Sequence, residues 1–413
     1  MYIHEYQAKQ ILRDNGIPSP PGIVTTTVEE AVQAARDLGG QSWAVKAQVY
    51  SGGRGAGRFQ GQDSTQGGVR IVDSLDAVRR SSEEMLGQTL ITEQTGSVGR
   101  KVERLYIETG CDIERELYLA MLVDRASNQL LLVASANGGQ NIEKVAAEDP
   151  DAILRVPIDL LDGPSREEIG NALAAFELPE AQAAQVLDVV EAMFRLFKSL
   201  DCSLIEINPL AITHSGEVLA LDSVMTFDNN ALFRHPEIRD LRDEKQLPPG
   251  MLRAYVHGIN YVKLDGDIGY LANGAGLALA TLDAIVYAGG KPANFLDVPP
   301  VVQQSIVRDA FKLLTSDPDV KAILVNIFGG GIMRCDTVAD AILTALVDEP
   351  LKVPLVVRLM GVDAELGLSR LKNSGHGILF ANSLTEVANL AVDAAQKGRM
   401  DGRKSWWDRA NSL

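Results

Sequence analysis

The 413-residue sequence has few cysteines, few aromatic residues and no excess of positive charge. Its thiols are Cys111, Cys202 and Cys335, and none of them belongs to a CxxC pair or a His-rich cluster. Neither a disulfide framework nor a zinc site is therefore predicted. With 39 Lys+Arg against 55 Asp+Glu, the net charge of −16 would repel nucleic acid at long range. We expect no nucleic-acid partner, so any phosphate binding must come from backbone amides, a few placed cations and a metal ion.

The sequence also lacks a long apolar run and a recognisable targeting segment. Its most apolar stretch, residues 270–287, is interrupted by Asn273, Asp283 and several glycines, which makes it too broken for a membrane span of about 20 residues. The first residues have neither a signal-peptide nor a transit-peptide pattern. We expect a soluble, cytoplasmic protein without a membrane partner. The P-loop pattern GxxxxGK[ST] is absent too, which excludes that route to nucleotide binding.

Length and hydrophobic pattern predict two domains of different class, because single cores stop growing at roughly 250 to 300 residues. In the C-terminal part, short apolar runs alternate with amphipathic segments, which predicts βαβ units around a parallel sheet. The N-terminal part lacks this rhythm and predicts an α+β fold with hairpins. The charged, proline-containing stretch 239–249 is the predicted linker. The predicted divisions are residues 1–247, residues 248–396 and a tail, 397–413, with Trp406 and Trp407.

The βαβ pattern predicts which loops of the second domain bind ligands. The predicted strands are 268–271, 293–298, 322–328, 354–359 and 377–380, and the predicted helices are 277–287, 302–314, 337–346, 364–372 and 384–396. Ligands of such sheets bind beyond the carboxyl ends of the strands. The loops at these ends are 273–276, 298–301, 329–334 and 361–363.

A lysine followed by a glycine-rich loop forms the first candidate site. Lys46 ends an apolar run, and Ser51-Gly52-Gly53-Arg54-Gly55-Ala56-Gly57-Arg58 follows it. An ammonium group and mobile backbone amides suit nucleotide phosphates. Taken alone, the same residues also fit a flexible surface hairpin.

Oxygen ligands at the ends of two apolar strands form the second candidate site. Glu206-Ile207-Asn208-Pro209 ends one run, and Leu221-Asp222 ends another. Mg²⁺ takes one or two protein oxygens together with phosphate oxygens. The alternative is a strand end that Asn208 caps before Pro209.

Together these segments resemble the ATP-grasp half of succinyl-CoA ligase β subunits. The resemblance extends to His4-Glu5-Tyr6-Gln7-Ala8-Lys9, Tyr106-Ile107-Glu108 and Glu116-Leu117-Tyr118. In the second domain, residues 273–278, 292–297 and 325–336 resemble the end of that family's subunit that binds the carboxylate substrate. The resemblance covers essentially residues 1–396. It implies an ATP-grasp domain followed by a flavodoxin-like, doubly wound CoA-ligase domain.

The resemblance also implies a reaction and a set of roles. An acid, CoA and ATP would give acyl-CoA, ADP and phosphate, through a phosphohistidine on an α subunit that also binds CoA, in an αβ or α2β2 assembly. Glu206 would face the phosphohistidine. The residues implied to contact the nucleotide are Lys46, Gly53, Arg54, Gly55, Glu108, Cys111 and Glu116. Mg²⁺ would be bound by Asn208 and Asp222. A small dicarboxylic acid would contact Asn273, Gly331, Ile332 and Met333. None of this chain's five histidines lies in a recognisable phosphohistidine loop, and the nearest imitation, His376, precedes a predicted strand.

The sequence departs from the family pattern mainly at the predicted acid end. Pro299-Pro300-Val301-Val302 replaces a glycine-rich loop, residues 329–331 carry one glycine more, and Val362-Asp363 replaces Thr-Asn. These changes predict an acid other than succinate, or an altered α partner. In the first domain, the loop carries extra residues at 56–66, where Arg58 would substitute for a lysine.

Three other interpretations stay open at this point. Gly274-x-Gly276-x-x-Leu279 with Asp297 imitates a dinucleotide fingerprint, although Leu279 takes the place of the third glycine. An ATP-grasp carboxylate–amine ligase would share the first domain and not the second. A non-catalytic paralogue of the β subunit would keep the fold without turnover.

Overall fold

The computed structural model describes residues 1–61, 66–247, 249–299, 303–329, 332–348 and 350–400. The chain forms two compact units that divide between Gln246 and Leu247. Several residues singled out above lie outside the described residues: Pro300, Val301, Val302, Gly330, Gly331, Trp406 and Trp407. Within the described ranges, no helix is long and apolar enough to cross a membrane.

The first unit combines mainly antiparallel sheets with packed helices, as the α+β prediction requires. Its helices are α1 (Glu5–Asp14), α2 (Val28–Leu38), α3 (Leu75–Met85), α4 (Ile142–Glu148), α5 (Arg166–Leu173), α6 (Glu180–Ser199) and α7 (Pro236–Arg239). Its strands are β1 (Gly22–Thr25), β2 (Trp43–Ala47), β3 (Arg58–Phe59), β4 (Val69–Val72), β5 (Thr89–Ile91), β6 (Arg100–Lys101), β7 (Leu105–Thr109), β8 (Ile113–Asp124), β9 (Gln129–Ser135), β10 (Leu154–Ile158), β11 (Cys202–Thr213), β12 (Val218–Ala220) and β13 (Ser223–Phe227).

Two sheets of this unit carry the residues of interest. One has the strand order β1-β7-β2-β4, and the other has the order β10-β9-β8-β11-β12, with β13 also paired to β11. Alternating apolar side chains on β8 and β11 meet those of α6 in one large core, which includes Leu117, Ile205 and Val190. A separate core, with Val45 and Ile107 from the first sheet, packs against α2 and α3. Each sheet is therefore fixed by its own apolar layer.

The helix α1 opens the first unit with an unusual buried face. The Gln7 side chain accepts from the His4 N–H at 2.8 Å, which satisfies one backbone donor at the first turn of the helix. The spacing of its buried residues, Glu5, Ala8, Lys9 and Leu12, is that of one helical face. Two of the four are charged, so part of this face packs against partners other than the apolar core.

The second unit is a parallel sheet with helices on both faces, as predicted. Its strands are β14 (Asn260–Lys263), β15 (Ile268–Asn273), β16 (Asn294–Val298), β17 (Ala322–Phe328), β18 (Leu355–Met360) and β19 (Leu379–Phe380). Its helices are α8 (Pro249–Val256), α9 (Ala275–Tyr287), α10 (Gln304–Thr315), α11 (Cys335–Asp348), α12 (Ala364–Asn373) and α13 (Leu384–Met400). The strand order is β14-β16-β15-β17-β18-β19, and β14 alone among these described strands runs antiparallel to its neighbour.

The five parallel strands follow the doubly wound order 2-1-3-4-5, in which the connections change direction between β15 and β17. Apolar clusters cover both faces, one with Val325 and Phe311 and the other with Leu324 and Ile285. Since ligands bind at such a reversal, a ligand site is expected at the carboxyl ends of β15 and β17.

The helix α8 and the strand β14 were not predicted, and two further details differ from the sequence-based expectations. The predicted linker 239–249 is shorter, because residues up to Gln246 pack onto the first unit: Asp243 Oδ2 lies 2.9 Å from His4 Nε2, and Gln246 donates to the Lys101 carbonyl. The strand that was expected to end at Asn208 continues to Thr213. Pairing with β8 skips from Ile207 to Leu210, since Pro209 has no N–H for the ladder.

Candidate functional site

Lys46 lies in a buried cluster of charges within the first unit. It is the penultimate residue of β2, and its Nζ lies 2.9 Å from Glu5 Oε1 and 2.7 Å from Glu108 Oε2. It also donates to the Leu221 carbonyl, at 2.6 Å. Burial alone would lower the pKa of Lys46, but its acidic neighbours outweigh burial and raise that pKa above its usual range. Lys46 is therefore a permanent cation beside Asp222.

Arg54 joins the same cluster from the glycine-rich loop. The loop turns at Gly53, whose φ of +67° is in the left-handed region that glycine tolerates, and a short 3₁₀ turn covers residues 54–56. The Arg54 guanidinium contacts Glu5 Oε2 at 2.6 Å and Asp222 Oδ2 at 2.5 Å. The loop is held rather than loose, since the Arg54 carbonyl accepts from Gly68 N at 2.8 Å. The alternative of a flexible surface hairpin does not fit these contacts.

Lys9 completes the cluster from α1. Its ammonium bonds to Glu108 Oε1 and to the Leu221 carbonyl, the latter at 2.8 Å. Lys9 and Lys46 thus share both acceptors, one on each oxygen of the Glu108 carboxylate. Burial, reinforced by the charge of Lys46, lowers the pKa of Lys9 to about 8.

The predicted metal ligands lie side by side at one edge of this cluster: Asn208 is on β11, and Asp222 lies between β12 and β13. Asn208 N donates to the Asp222 carbonyl at 3.1 Å, which places the two residues side by side. The Asn208 side chain accepts from Gly139 N at 2.8 Å and donates to the Gln140 carbonyl at 3.0 Å. Asp222 Oδ1 accepts from Ser223 N at 2.8 Å. The side chains are therefore oriented by the backbone around them.

One amide oxygen and one carboxylate form a donor set that fits Mg²⁺, which takes few protein oxygens and completes its shell with water and phosphate. Among the described residues, no group of three or more His, Cys, Asp or Glu side chains is arranged to hold a metal ion. The pair Asn208 and Asp222 thus suits a hard cation that arrives with phosphate oxygens better than a fully protein-bound metal.

Glu206 and Glu116 lie on neighbouring strands of the same sheet. Glu206 pairs in register with Ala120 of β8, and Glu116 pairs with Ala211 of β11. The Glu116 carboxylate lies against Gly139, where a Cβ atom would approach its Oε2 to 2.3 Å. Burial, assisted by Asp222 and Glu143, raises the pKa of Glu206 to about 7. Glu206 can therefore gain or lose a proton near neutral pH.

Cys111 follows β7 and is half-buried. It is a free thiol, and burial, with a smaller contribution from Glu108, raises its pKa. A raised pKa disfavours the thiolate, so Cys111 suits a neutral contact with a ligand and not a nucleophile.

In the second unit, Asn273 lies at the carboxyl end of β15, and Ile332 and Met333 follow the carboxyl end of β17. Asn273 accepts from Phe328 N at 2.8 Å and donates to the Phe328 carbonyl at 2.9 Å. This side-chain amide therefore joins the two strands across the point where the strand connections reverse. Next to it, Gly274 has a φ of +84° and precedes α9, whose first turn exposes amide donors as helix N-termini do.

The remaining predicted acid contacts behave differently from one another. Met333 is buried in the core of the second unit, whereas Ile332 is 61% exposed. The amides of both residues donate to the Gly329 carbonyl, at 2.8 and 2.9 Å. Gly331 lies outside the described residues.

The unusual Asp363 takes part in a surface ion pair. It is the N-cap residue of α12, in a left-handed conformation with φ 53°, and its carboxylate lies 2.9 Å from the Arg334 guanidinium. Arg334 also contacts Asp336 at 3.1 Å. The Arg334 guanidinium, next to residues 332 and 333, thus forms ion pairs with two carboxylates.

Comparisons with known proteins cover nearly the whole chain. A model of the ATP-grasp domain matches residues 2–212, and a model of the CoA-ligase domain matches residues 271–392. The β subunit of an ADP-forming succinate–CoA ligase from Paramagnetospirillum magneticum is 49% identical over 96% of this chain and 100% of its own length. The corresponding subunit of Acidiphilium cryptum is 48% identical over the same shares.

The chain belongs to the family of ADP-forming succinate–CoA ligase β subunits.

The succinate–CoA ligase assignment confirms the predicted ATP-grasp and CoA-ligase folds. A solved ATP citrate lyase from Methanothrix soehngenii has a TM-score of 0.68 with this chain and covers 95% of it, at 17% identity. That likeness shows a shared fold only. Residues 274–297 belong to the CoA-ligase domain. Their likeness to a dinucleotide-binding fingerprint therefore does not indicate a nicotinamide enzyme.

Glu5 and Lys9 were not predicted as site residues. They occur in the opening motif that carries the family resemblance, yet no role was assigned to them. The available signal was two opposite charges four residues apart on a face shared with Ala8 and Leu12. Buried charges on an apolar face need partners, and here those partners are Lys46, Arg54 and Glu108.

Proposed function

We propose that this chain is the nucleotide-binding subunit of an ADP-forming acid–CoA ligase whose acid is a small dicarboxylate, succinate or a relative such as malate. The observation that carries the proposal is the buried cluster that places Lys46 and Arg54 beside Asp222. Two fixed cations beside an oxygen pair suit a nucleotide di- or triphosphate with its Mg²⁺.

The overall reaction consumes acid, CoA and ATP and releases acyl-CoA, ADP and phosphate. The terminal phosphoryl group of ATP passes to a histidine of the partner and then to a carboxylate oxygen of the acid. The CoA sulfur then attacks the acyl carbon, and phosphate leaves. Dividing one difficult condensation into such steps is covalent catalysis.

In this reaction the residues of the first unit hold and neutralise the nucleotide. Lys46 and Arg54 stabilise negative charge on the phosphates, as preorganised cations do in phosphoryl transfer. Glu108, Glu116, Cys111 and the loop glycines Gly53 and Gly55 complete the nucleotide contacts. Asn208 and Asp222 would hold Mg²⁺, which supplies charge neutralisation for the phosphate oxygens.

Glu206 would act where the nucleotide site meets the phosphohistidine. Its raised pKa lets the carboxyl accept or return a proton near pH 7. In the second unit, Asn273 and residues 331–333 would border the acid. The amides at the start of α9 suit an anionic carboxylate or acyl phosphate.

The partner is an α subunit that carries the phosphohistidine and most of the CoA site, in an αβ or α2β2 assembly. Four histidines of this chain lie beside acids: His4 beside Asp243, His214 beside Asp112, His235 beside Asp201 and His257 beside Asp309. The fifth, His376, follows the left-handed Gly375 in a turn before β19. These contacts do not single out any of the five as a phosphoryl carrier, and the proposal assigns that role to the partner.

A carboxylate–amine ligase would leave the CoA-ligase domain without a task, so it is the weaker candidate. It predicts ADP release that depends on an amine and not on CoA. A non-catalytic paralogue predicts that neither Lys46→Ala nor Asp222→Ala changes acyl-CoA yield in the assembled complex.

The decisive assay uses the chain co-purified with its α partner. ATP, CoA and a panel of acids, namely succinate, malate, itaconate and sulfur-containing analogues, are supplied in turn, and ADP and acyl-CoA are measured. The proposal expects equimolar ADP and acyl-CoA with at least one dicarboxylate. ADP formation without acyl-CoA would contradict it, and a clear preference for succinate would contradict the altered acid predicted from residues 299–302 and 362–363.

A further inference from the structure

Two charged side chains of α1 contact the cluster without belonging to the predicted ligand set. Glu5 lies 2.9 Å from Lys46 and 2.6 Å from Arg54, and a third contact comes from Gln48 at 3.1 Å. Lys9 bonds to Glu108 and to the Leu221 carbonyl. Glu5 is 5% exposed and Lys9 is fully buried. Neither is accessible enough to serve as a solvent-facing charge.

The cluster divides into residues predicted to touch ligands and residues that hold them. Lys46, Arg54, Glu108 and Asp222 form the first group. Glu5 and Lys9 form the second. Counted together, three cations (Lys9, Lys46, Arg54) face three acids (Glu5, Glu108, Asp222). Removing one member of a buried, balanced set leaves an uncompensated charge.

We propose that Glu5 and Lys9 are positioning residues for the nucleotide site, Glu5 for the cations Lys46 and Arg54, and Lys9 for Glu108 and the backbone that carries Asp222. The proposal rests on the proposed nucleotide role of Lys46 and Arg54. It makes α1 the support of the phosphate-binding cations.

The two residues act with opposite electrostatic sign. Without the Lys9 ammonium, the Glu108 carboxylate has only Lys46 as its cationic partner. Glu108 then neutralises more of the positive charge with which Lys46 would attract phosphate. Nucleotide binding then weakens and turnover falls. Without the Glu5 charge, Lys46 and Arg54 gain net positive charge but lose the acceptor that orients them. Turnover then falls while nucleotide binding does not weaken.

The test measures nucleotide KM and kcat of the assembled complex for Lys9→Met and Glu5→Gln, together with direct binding of ADP with Mg²⁺ and the Tm. Lys9→Met raises nucleotide KM about tenfold, the size expected when one member of a coupled ion network is removed. Glu5→Gln lowers kcat by a similar factor with nucleotide KM unchanged or reduced. Lys9→Arg, which keeps the charge, restores most of the affinity.

Two controls separate positioning from a loss of folded protein. Leu12→Ala opens a cavity on the same face of α1 without removing a charge, so it lowers Tm and leaves nucleotide KM unchanged. Lys352→Met removes an exposed lysine of the second unit and leaves both parameters unchanged. If Lys9→Met does not fold, the split between KM and kcat in Glu5→Gln decides alone.

The proposal is overturned if the Lys9 and Glu5 variants change KM in the same direction, or if they change only Tm as Leu12→Ala does. Lys46→Ala distinguishes this failure from a failure of the proposed function. If Lys46→Ala abolishes nucleotide binding and the Lys9 and Glu5 variants do not behave as stated, only the positioning role is wrong. If Lys46→Ala leaves binding intact, the nucleotide site itself is wrongly placed.

Discussion

The two units position their predicted ligand-binding residues by different means. In the first unit, Lys46 and Arg54 are fixed by buried acids and carry full charges. In the second, the Asn273 amide is fixed by the backbone of Phe328 and carries none. Charge pairs in a buried site are strong and costly to break on one side, whereas a neutral amide pair is worth less. The difference suits a nucleotide polyphosphate in one unit and a small carboxylate in the other.

The largest effect is expected where the charges are concentrated. Lys46→Ala removes one of the cations that we propose to bind the phosphates, so it should lower kcat/KM of the αβ complex for ATP by about 10²- to 10³-fold, as loss of one preorganised group does. The KM for the acid should change little. The matched variant Lys352→Ala, at an exposed position, should match the unsubstituted complex. An equally large rise in the KM for the acid would contradict the proposal that the first unit binds the nucleotide and the second unit binds the acid.

An intermediate effect is expected at the neutral pair of the second unit. Asn273→Ala removes the side-chain partner of the Phe328 N–H and C=O, at a cost of about 0.5–1.5 kcal/mol for each hydrogen bond. The acid KM should rise about tenfold while the nucleotide KM stays constant. Steady-state kinetics with each substrate varied in turn measures this. A rise in the nucleotide KM alone, with the acid KM unchanged, would contradict the assignment of the acid to the second unit.

A smaller effect is expected at the surface ion pair near Ile332. Asp363→Asn releases the Arg334 guanidinium from one of its two acids. Exposed pairs contribute about 0.2–1 kcal/mol, so a shift of a few-fold in the relative kcat/KM for succinate and its relatives is the expected result. Comparing the acid panel for this variant with that for Asp348→Asn, which removes the surface acid paired with Lys312, isolates the position. Identical acid preferences in all three proteins would exclude Asp363 from substrate choice.

The smallest effect on catalysis is expected at Asp243, which contacts His4 and Arg104. Substitution of Asp243 should change the stability of the protein instead. Its hydrogen bond to His4, with that to Arg104, holds the pKa of Asp243 below the ordinary value of 3.8. A carboxyl with a depressed folded-state pKa contributes stability above its unfolded pKa and loses it as the pH falls through the folded value. Asp243→Asn should therefore lower Tm at pH 6, and the difference should shrink below about pH 4. A difference that grows on acidification would contradict the assigned cause.

The second unit was predicted more completely than the first because its signals are local. Each strand from Ile268 to Phe380 is a short apolar run before an amphipathic helix, and the observed bounds differ from the predicted ones by a few residues. Such periodicity depends on neighbours in the sequence.

The first unit depends on contacts between distant residues, which periodicity does not report. Lys9 meets Glu108, and Arg54 meets Asp222, across 99 and 168 positions. Lys46, Arg54, Glu108 and Asp222 were named from the family resemblance, and the structure brings them together. The partners that hold them, Glu5 and Lys9, required coordinates. The bulge at Pro209 was missed for a related reason, since a proline inside an apolar run is as compatible with a strand end as with a skipped ladder position.

The central claim is that the first unit binds the nucleotide through Lys46 and Asp222. The most direct test is an isothermal calorimetric titration of the purified complex with ADP in the presence of Mg²⁺. The titration is repeated with the Lys46→Ala and Asp222→Ala variants. The account predicts one nucleotide for each copy of this chain, with affinity reduced about 100-fold or more by Lys46→Ala and with the Mg²⁺ dependence lost in Asp222→Ala. Unchanged affinity in both variants would contradict it.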